Sequence, residues 1–231
     1  LFFHNLEAYH FINNFICDRV GNEVEKLYAE FSKNFFHSKN KVDFIEYLNQ
    51  FYRKLKERLA GKEEFEQRFI EDINYDTKSA LEIMYVFDRL INLNHKSENR
   101  AHRQIFFKPE DKQIRKKYNI EHWYPQNPQN KNNNIIEETK VHNIGNLLIC
   151  PKVLNERLGN KLPIEKAEAL KSNLDFYSTP YVQNFIEDYR DFFMNWDEGV
   201  IDKRAKTMAQ QAYSVTWSFK PVNYNIKNFN F

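Results

Sequence analysis

Over the first hundred residues apolar side chains return every three or four positions, and that spacing constrains the fold more than any other feature. Val20, Val24, Leu27, Phe31 and Phe35 form one stripe, and Phe44, Leu48, Phe51, Leu55 and Leu59 a second. A third starts at Leu81, Met84 and Tyr85 and runs on to Leu93. The interval matches the helical turn of about 3.6 residues, so each stripe lies on one face and needs a partner to cover it. The expected product is a helical bundle. Charges between the stripes alternate in sign, as on a solvated face. Gly61 and the segment NYDTKSA (74–80) break the pattern, with Asp76 or Thr77 placed to cap the third helix.

The composition allows a real core. The chain has 231 residues, 42% of them hydrophobic, with 21 Phe and 13 Tyr. That length and aromatic content exclude a disordered chain. With 5 Gly and no GxxxxGK[ST] segment, it has neither a Gly-rich dinucleotide turn nor a phosphate loop, so no nucleotide is expected on this chain. The net charge of +2 neither demands nor excludes nucleic acid. Residues 1–105 carry 16 Lys/Arg against 17 Asp/Glu and residues 106–231 carry 18 against 15, so the basic excess lies in the second half. Cys17 and Cys150 are too far apart in sequence for a Cys-x-x-Cys zinc site. Any metal must then be held by oxygen and imidazole, and a reducing, cytoplasmic compartment is expected. No apolar run approaches the roughly 20 residues of a membrane span. The N-terminus lacks both the basic region of a signal peptide and an initiating Met, which suggests a piece of a longer protein.

Residues 94–117 are polar, contain Pro109, and read as a connection. The expected division is a helical bundle over 1–105, a second domain over 106–217 and a tail over 218–231. QNPQNKNNN (126–134) reads as a loop. IGNLLIC (144–150) has strand length and is ended by Pro151, and KVLNERLGNK then reads as a helix stopping at Gly159. Phe185, Tyr189, Phe192 and Trp196 share one helical face, and Ile201, Ala205, Met208 and Ala212 another. Trp196 and Trp217 read as core rather than as base-stacking platforms.

The segment YNIEHWYPQNP (118–128) carries the chemistry. It reads as a short strand ended by Pro125. Neighbouring strand residues face opposite ways, so Glu121 and His122 serve one site only where the strand ends or bends. Asn146 follows 24 residues after His122, in the second strand, and Asn155 another 9 on, in the helix.

IEHWYPQNP, VHNIGNLLI and LNERLGNK together resemble the HNH nuclease domain at the C-terminus of GmrSD-type restriction proteins, which are modification-dependent (Type IV) bacterial phage-defence enzymes. The resemblance covers about residues 106–217 and includes Lys161, Lys166, Trp196, Ile201, Arg204 and Trp217. Trp123 and Pro151 depart from the usual pattern without removing a chemical group. The resemblance implies a mainly α chain with a small β-hairpin, in which an N-terminal helical bundle precedes an HNH ββα-metal nuclease domain embedded in helices. It implies His122 as general base, Glu121 and Asn155 as ligands of one divalent metal, and Asn146 orienting His122 or bracing the loop. His142, Lys161, Lys166 and Arg204 are candidate nucleic-acid contacts. It also implies a nucleotide-using, modification-sensing region elsewhere in the full protein, with residues 1–105 joining it to the nuclease.

The chemistry is sensible on its own. A histidine of ordinary pKa near 6.5 accepts a proton at neutral pH. A carboxylate and an amide carbonyl are hard oxygen ligands that suit Mg²⁺ or Mn²⁺ rather than zinc. The expected function is metal-dependent endonucleolytic hydrolysis of DNA, modified DNA included. The competing readings are a non-cutting nucleic-acid or protein-binding module of the same fold, and an RNA-cutting toxin.

Overall fold

A computed structural model describes residues 2–97, 117–129, 136–171 and 179–222. They are mainly helical, with one two-stranded antiparallel hairpin. The chain divides into two compact units: residues up to Arg68 together with those from Trp217 on, and Phe69–Thr216. The expected division at 105/106 lies outside the described residues.

In the first unit α1 (Phe2–His10) continues as wider π-helical turns over Phe11–Ile16, followed by α2 (Asn22–His37), α3 (Lys41–Glu57) and the start of α4 (Lys62–Asp72). Val24, Leu27, Leu48, Phe51 and Leu55 lie in its core, as the stripes predict, together with Tyr9 and Tyr52. Two stripe members depart. Val20 is 84% exposed, because Asp18 adopts φ +50° and turns the chain before α2 begins. Phe35 lies one turn beyond the covered part of α2 and is exposed. The Asn40 side chain caps α3, accepting from the backbone N–H groups of Val42 and Asp43. Buried Asn13 donates to the Arg58 carbonyl and accepts from Ala60 N, closing the far end of α3. From the other end of the chain, Trp217 stacks on Phe11 with ring centroids 3.5 Å apart. The Asn5 amide takes both backbone groups of Lys220. The start of the expected tail is therefore part of this unit.

The second unit is built around β1 (Tyr118–His122) and β2 (Leu147–Pro151), paired with Ile120 opposite Ile149 and His122 opposite Leu147. Helix α7 (Lys152–Leu158) follows β2 without a break and packs on both strands. Gly159 stops it with φ +51°, as expected. Around this lie α5 (Ala80–Ser97), α6 (Glu138–Val141), α8 (Pro163–Lys171), α9 (Pro180–Tyr189) and α10 (Glu198–Gln211). Trp123, Leu148, Leu154, Phe185, Phe193 and Trp196 are among the buried residues of its core. Trp196 and Trp217 are thus both core residues.

Four local expectations are corrected. The apolar run 144–150 is not all strand: Ile144–Asn146 forms a 3₁₀ turn, because the Asn143 side chain accepts from Gly145 N and bends the chain before β2 starts. The α5 helix is capped by Ser79, whose hydroxyl accepts from Glu82 N while Glu82 accepts from Ser79 N. Asp76 and Thr77 instead lie in a turn held by the Asn74 side chain. The covered face of α5 is Ile83, Val86, Phe87 and Leu90 together with the expected Met84, while Leu81 is exposed at its start; the Leu93 side chain lies outside the described residues. Finally, α9 ends at Tyr189 and tightens to a 3₁₀ helix over Arg190–Asn195, which buries Phe193 in the core while Phe192 packs half-buried against it.

Candidate active site

The end of β1 aims two neighbouring residues into one place. Glu121, His122 and Asn155 line a polar cleft of about 230 Å³, together with Tyr75, Asn119 and Gln126. The last regular strand pair is His122 with Leu147. The chain then bends into the Trp123–Pro125 segment, which lets adjacent side chains share the cleft.

Glu121 is 4% exposed. Its Oε1 accepts from the ammonium of Lys166, which also donates to the His122 carbonyl at 2.6 Å. Its Oε2 accepts from Asn155 Nδ2 at 2.5 Å. Burial raises the Glu121 carboxyl above its ordinary pKa and lowers the Lys166 ammonium, while each charge opposes the other's shift. Asn155 sits on α7, one turn before Gly159, and its Oδ1 accepts from Asn119 Nδ2 at 3.2 Å.

His122 is 9% exposed, and its Nε2 is buried and makes no hydrogen bond. Burial, helped by His142 and Lys166 nearby, lowers its pKa to about 4, so the ring is neutral at pH 7. The ring stands edge-on between Tyr75, at 4.7 Å, and His142, at 5.2 Å between centroids. His142 Nδ1 lies 3.5 Å from an Asp76 carboxylate oxygen and 3.4 Å from Gln126 Nε2. The loop carrying Tyr75 is pinned by three backbone and side-chain bonds. Tyr75 N donates to the His142 carbonyl, Ile144 N to the Ile73 carbonyl, and Asn143 Nδ2 to the Ile70 carbonyl.

Asn146 is fully buried behind the cleft and touches none of its reactive atoms. Its Nδ2 donates to the carbonyls of Tyr124 and Val141, and its Oδ1 accepts from Tyr124 N and Trp196 Nε1. Of its two expected roles the geometry fits the brace. Lys166, at 0% exposure, is Glu121's partner and is not placed to meet a phosphate. Arg204 is 5% exposed, donates to the carbonyls of Gly145 and Leu147, and lies over the rings of Phe185 and Tyr189. It ties α10 to the 3₁₀ turn, so a phosphate contact there does not fit. Lys161 turns its ammonium to the Arg157 carbonyl at 2.7 Å. Sequence reasoning missed Tyr75, for which no local pattern speaks, and Asn119, which strand alternation places on the face of Glu121.

No group of three or more His, Cys, Asp and Glu residues is poised to hold a metal among the described residues. The donor set is smaller and harder: one carboxylate and one amide side chain within 2.5 Å of each other in a polar cleft. Mg²⁺ and Mn²⁺ accept such a set, since most of their remaining positions go to water and phosphate oxygens. The residue types present fit one such ion, with Asn155 here turning its N–H rather than its carbonyl to the carboxylate.

A mainly helical protein whose hairpin and following helix set a carboxylate, a neutral histidine and an amide into one cleft has the parts of a hydrolytic site. The profile of the GmrSD restriction endonucleases' C-terminal domain matches residues 59–211, two thirds of the chain, and the chain belongs to that family. The match starts well before residue 106, where the resemblance in motifs begins, and so takes in the Tyr75 loop and α5. Comparison with curated proteins and with solved structures finds no match. Among the described residues no helix is long and apolar enough to cross a membrane.

Proposed function

We propose that the chain is a divalent-metal-dependent HNH endonuclease that hydrolyses DNA phosphodiester bonds, as the effector part of a bacterial restriction or anti-phage protein whose nucleotide-using sensor lies elsewhere. The observation that carries the reading is the convergence of Glu121, His122 and Asn155 on one cleft, in the strand–strand–helix order of a ββα nuclease motif.

His122 is the base. Its ring is neutral at pH 7 and lines the cleft, so the ring nitrogen that carries no hydrogen can take the proton of an attacking water that reaches it there. Tyr75 and His142 hold the ring from two sides. Glu121 and Asn155 would hold one Mg²⁺ or Mn²⁺, which supplies polarisation of the phosphate and neutralisation of the leaving oxygen. Lys166 fixes the direction of the Glu121 carboxylate and, through the His122 carbonyl, the strand end beside it. Asn146 keeps the Tyr124–Pro125 bend in place, so that Glu121 and His122 continue to face one cleft.

The test is cleavage of supercoiled plasmid in Mg²⁺ or Mn²⁺, beside His122→Ala, an EDTA control and an RNA substrate. Nicked or linear plasmid that disappears in both controls is the expected result. RNA cleavage with intact plasmid would move the substrate to RNA. Mn²⁺ binding without cleavage would point to a nuclease held silent until its sensor acts, and neither cleavage nor Mn²⁺ binding would favour the binding module.

A further inference from the structure

We propose that Asn119 is a positioning residue for the cation site, an amide that holds Asn155 in either of two orientations; this rests on Glu121 and Asn155 being the ligands. Asn155 now points its Nδ2 at Glu121 Oε2, 2.5 Å away, and its Oδ1 at Asn119 Nδ2, 3.2 Å away. An N–H facing the carboxylate occupies the side of that oxygen where a cation would sit, and it presents positive charge to the cation. Asn155 becomes a ligand only when its carbonyl oxygen replaces that N–H, which a half-turn of the amide achieves. The same half-turn sends Asn155 Nδ2 to Asn119. Asn119 then has to accept rather than donate.

Asn119 can do this by its own half-turn, because an amide carries a donor and an acceptor on equivalent arms. It sits two residues before Glu121 on the same face of β1 and lines the same cleft. The pair therefore exchanges roles together, with one hydrogen bond between them in both arrangements. On rotation Asn155 Nδ2 gives up its bond to Glu121 Oε2, which the cation replaces, and its longer contact with the Ile120 carbonyl at 3.3 Å. An apolar residue at 119 would leave the rotated Asn155 N–H groups without this partner. A carboxylate there would accept but not donate, and would favour the ligand orientation.

The experiment is Mn²⁺ binding to the purified chain without DNA, read from the free-ion electron paramagnetic resonance signal. Thermal unfolding of each variant confirms folding. Because Asn119 bonds Asn155 in both arrangements, Asn119→Ala is expected to leave Mn²⁺ affinity close to the wild-type value. Asn119→Asp, which accepts but cannot donate, supports only the ligand orientation and is expected to tighten Mn²⁺ binding about tenfold, the worth of one hydrogen bond, a gain kept in high salt, where its added charge is screened. Binding by Asn119→Asp no tighter than the wild type in high salt, or loss of Mn²⁺ in Asn119→Ala, overturns the proposal. Glu121→Gln and Asn155→Ala separate the two levels. If both lose Mn²⁺ while Asn119→Asp binds no tighter than the wild type, the role of Asn119 alone is wrong. If neither changes binding, the ligand assignment fails and the proposal falls with it.

Discussion

Asn146 uses every hydrogen-bonding group of its side chain inside the protein, on four different partners. Its removal has a predictable cost, because each partner is left buried without water. Asn146→Ala strands both backbone groups of Tyr124, the Val141 carbonyl and the Trp196 indole N–H. At about 1–3 kcal/mol for each unsatisfied group, and less than additively, stability should fall by roughly 3 kcal/mol or more. Urea unfolding measures this directly; a loss under about 1 kcal/mol would show that the brace is dispensable. His122 sets a second prediction, on pH. Its pKa is about 4 in the folded chain, against about 6.5 when unfolded. Between those values the unfolded chain binds more protons, so stability rises with pH. The contribution is complete above pH 6.5 and is lost as pH falls towards 4, by up to about 3 kcal/mol. In the metal-free chain, the wild type should lose more stability than His122→Asn between pH 7 and pH 4.5. Parallel curves would mean that the ring is not held neutral by burial.

At the scale of elements, the hairpin and helix were legible in sequence because their signals are local. Glu121 and His122 stand together before a proline, and Asn155 lies one turn before the glycine that stops α7. The 3₁₀ turn was not legible, since Ile144–Asn146 continues an apolar run and only the Asn143 side-chain bond separates it from β2. Tyr75 was hidden for another reason: it reaches His122 from a loop more than forty positions away, which no periodicity reports. Lys166 and Arg204 stand out in the sequence by charge, while their burial and their protein partners show only in the structure. Gly145 explains why the turn tolerates α10 so closely. A Cβ there would stand 2.1 Å from the Ile201 carbonyl oxygen, backbone against backbone. Gly145→Ala must therefore push the 3₁₀ turn off α10, which disturbs Asn146 and the Arg204 bonds to the carbonyls of Gly145 and Leu147. We expect a loss of several kcal/mol, at the upper end for point substitutions, read as a lower thermal midpoint with reduced near-ultraviolet signal from Trp196. A wild-type midpoint would contradict the close approach.

At the scale of the whole molecule, the family match and the compact units draw different lines. The match runs over 59–211, while the second unit runs over Phe69–Thr216 and contains every residue of the cleft. The residues matched ahead of the motif are not a mere lead-in: Ile70, Ile73 and Tyr75 bond to, or pack on, the segment that holds His142 and Asn146. The first unit has its own logic. It is closed by the other end of the chain, with Trp217 fully buried against Phe11 and Lys220 paired to Asn5. Periodicity reads residues 218–231 as a tail, because SFKPVNYNIKNFNF carries no clear period, and leaves Trp217 at the end of the second domain. Their aromatic anchor gives a test. Trp217→Ala opens a cavity the size of an indole against Phe11, a change that typically costs about 3–5 kcal/mol. Hydrogen exchange should then show the amides of α1 and the Lys220 amide losing protection together, since the same packing holds both. Loss at Lys220 with α1 unchanged would mean that the segment only rests on the unit. Unchanged protection at both would mean that Trp217 is not its anchor.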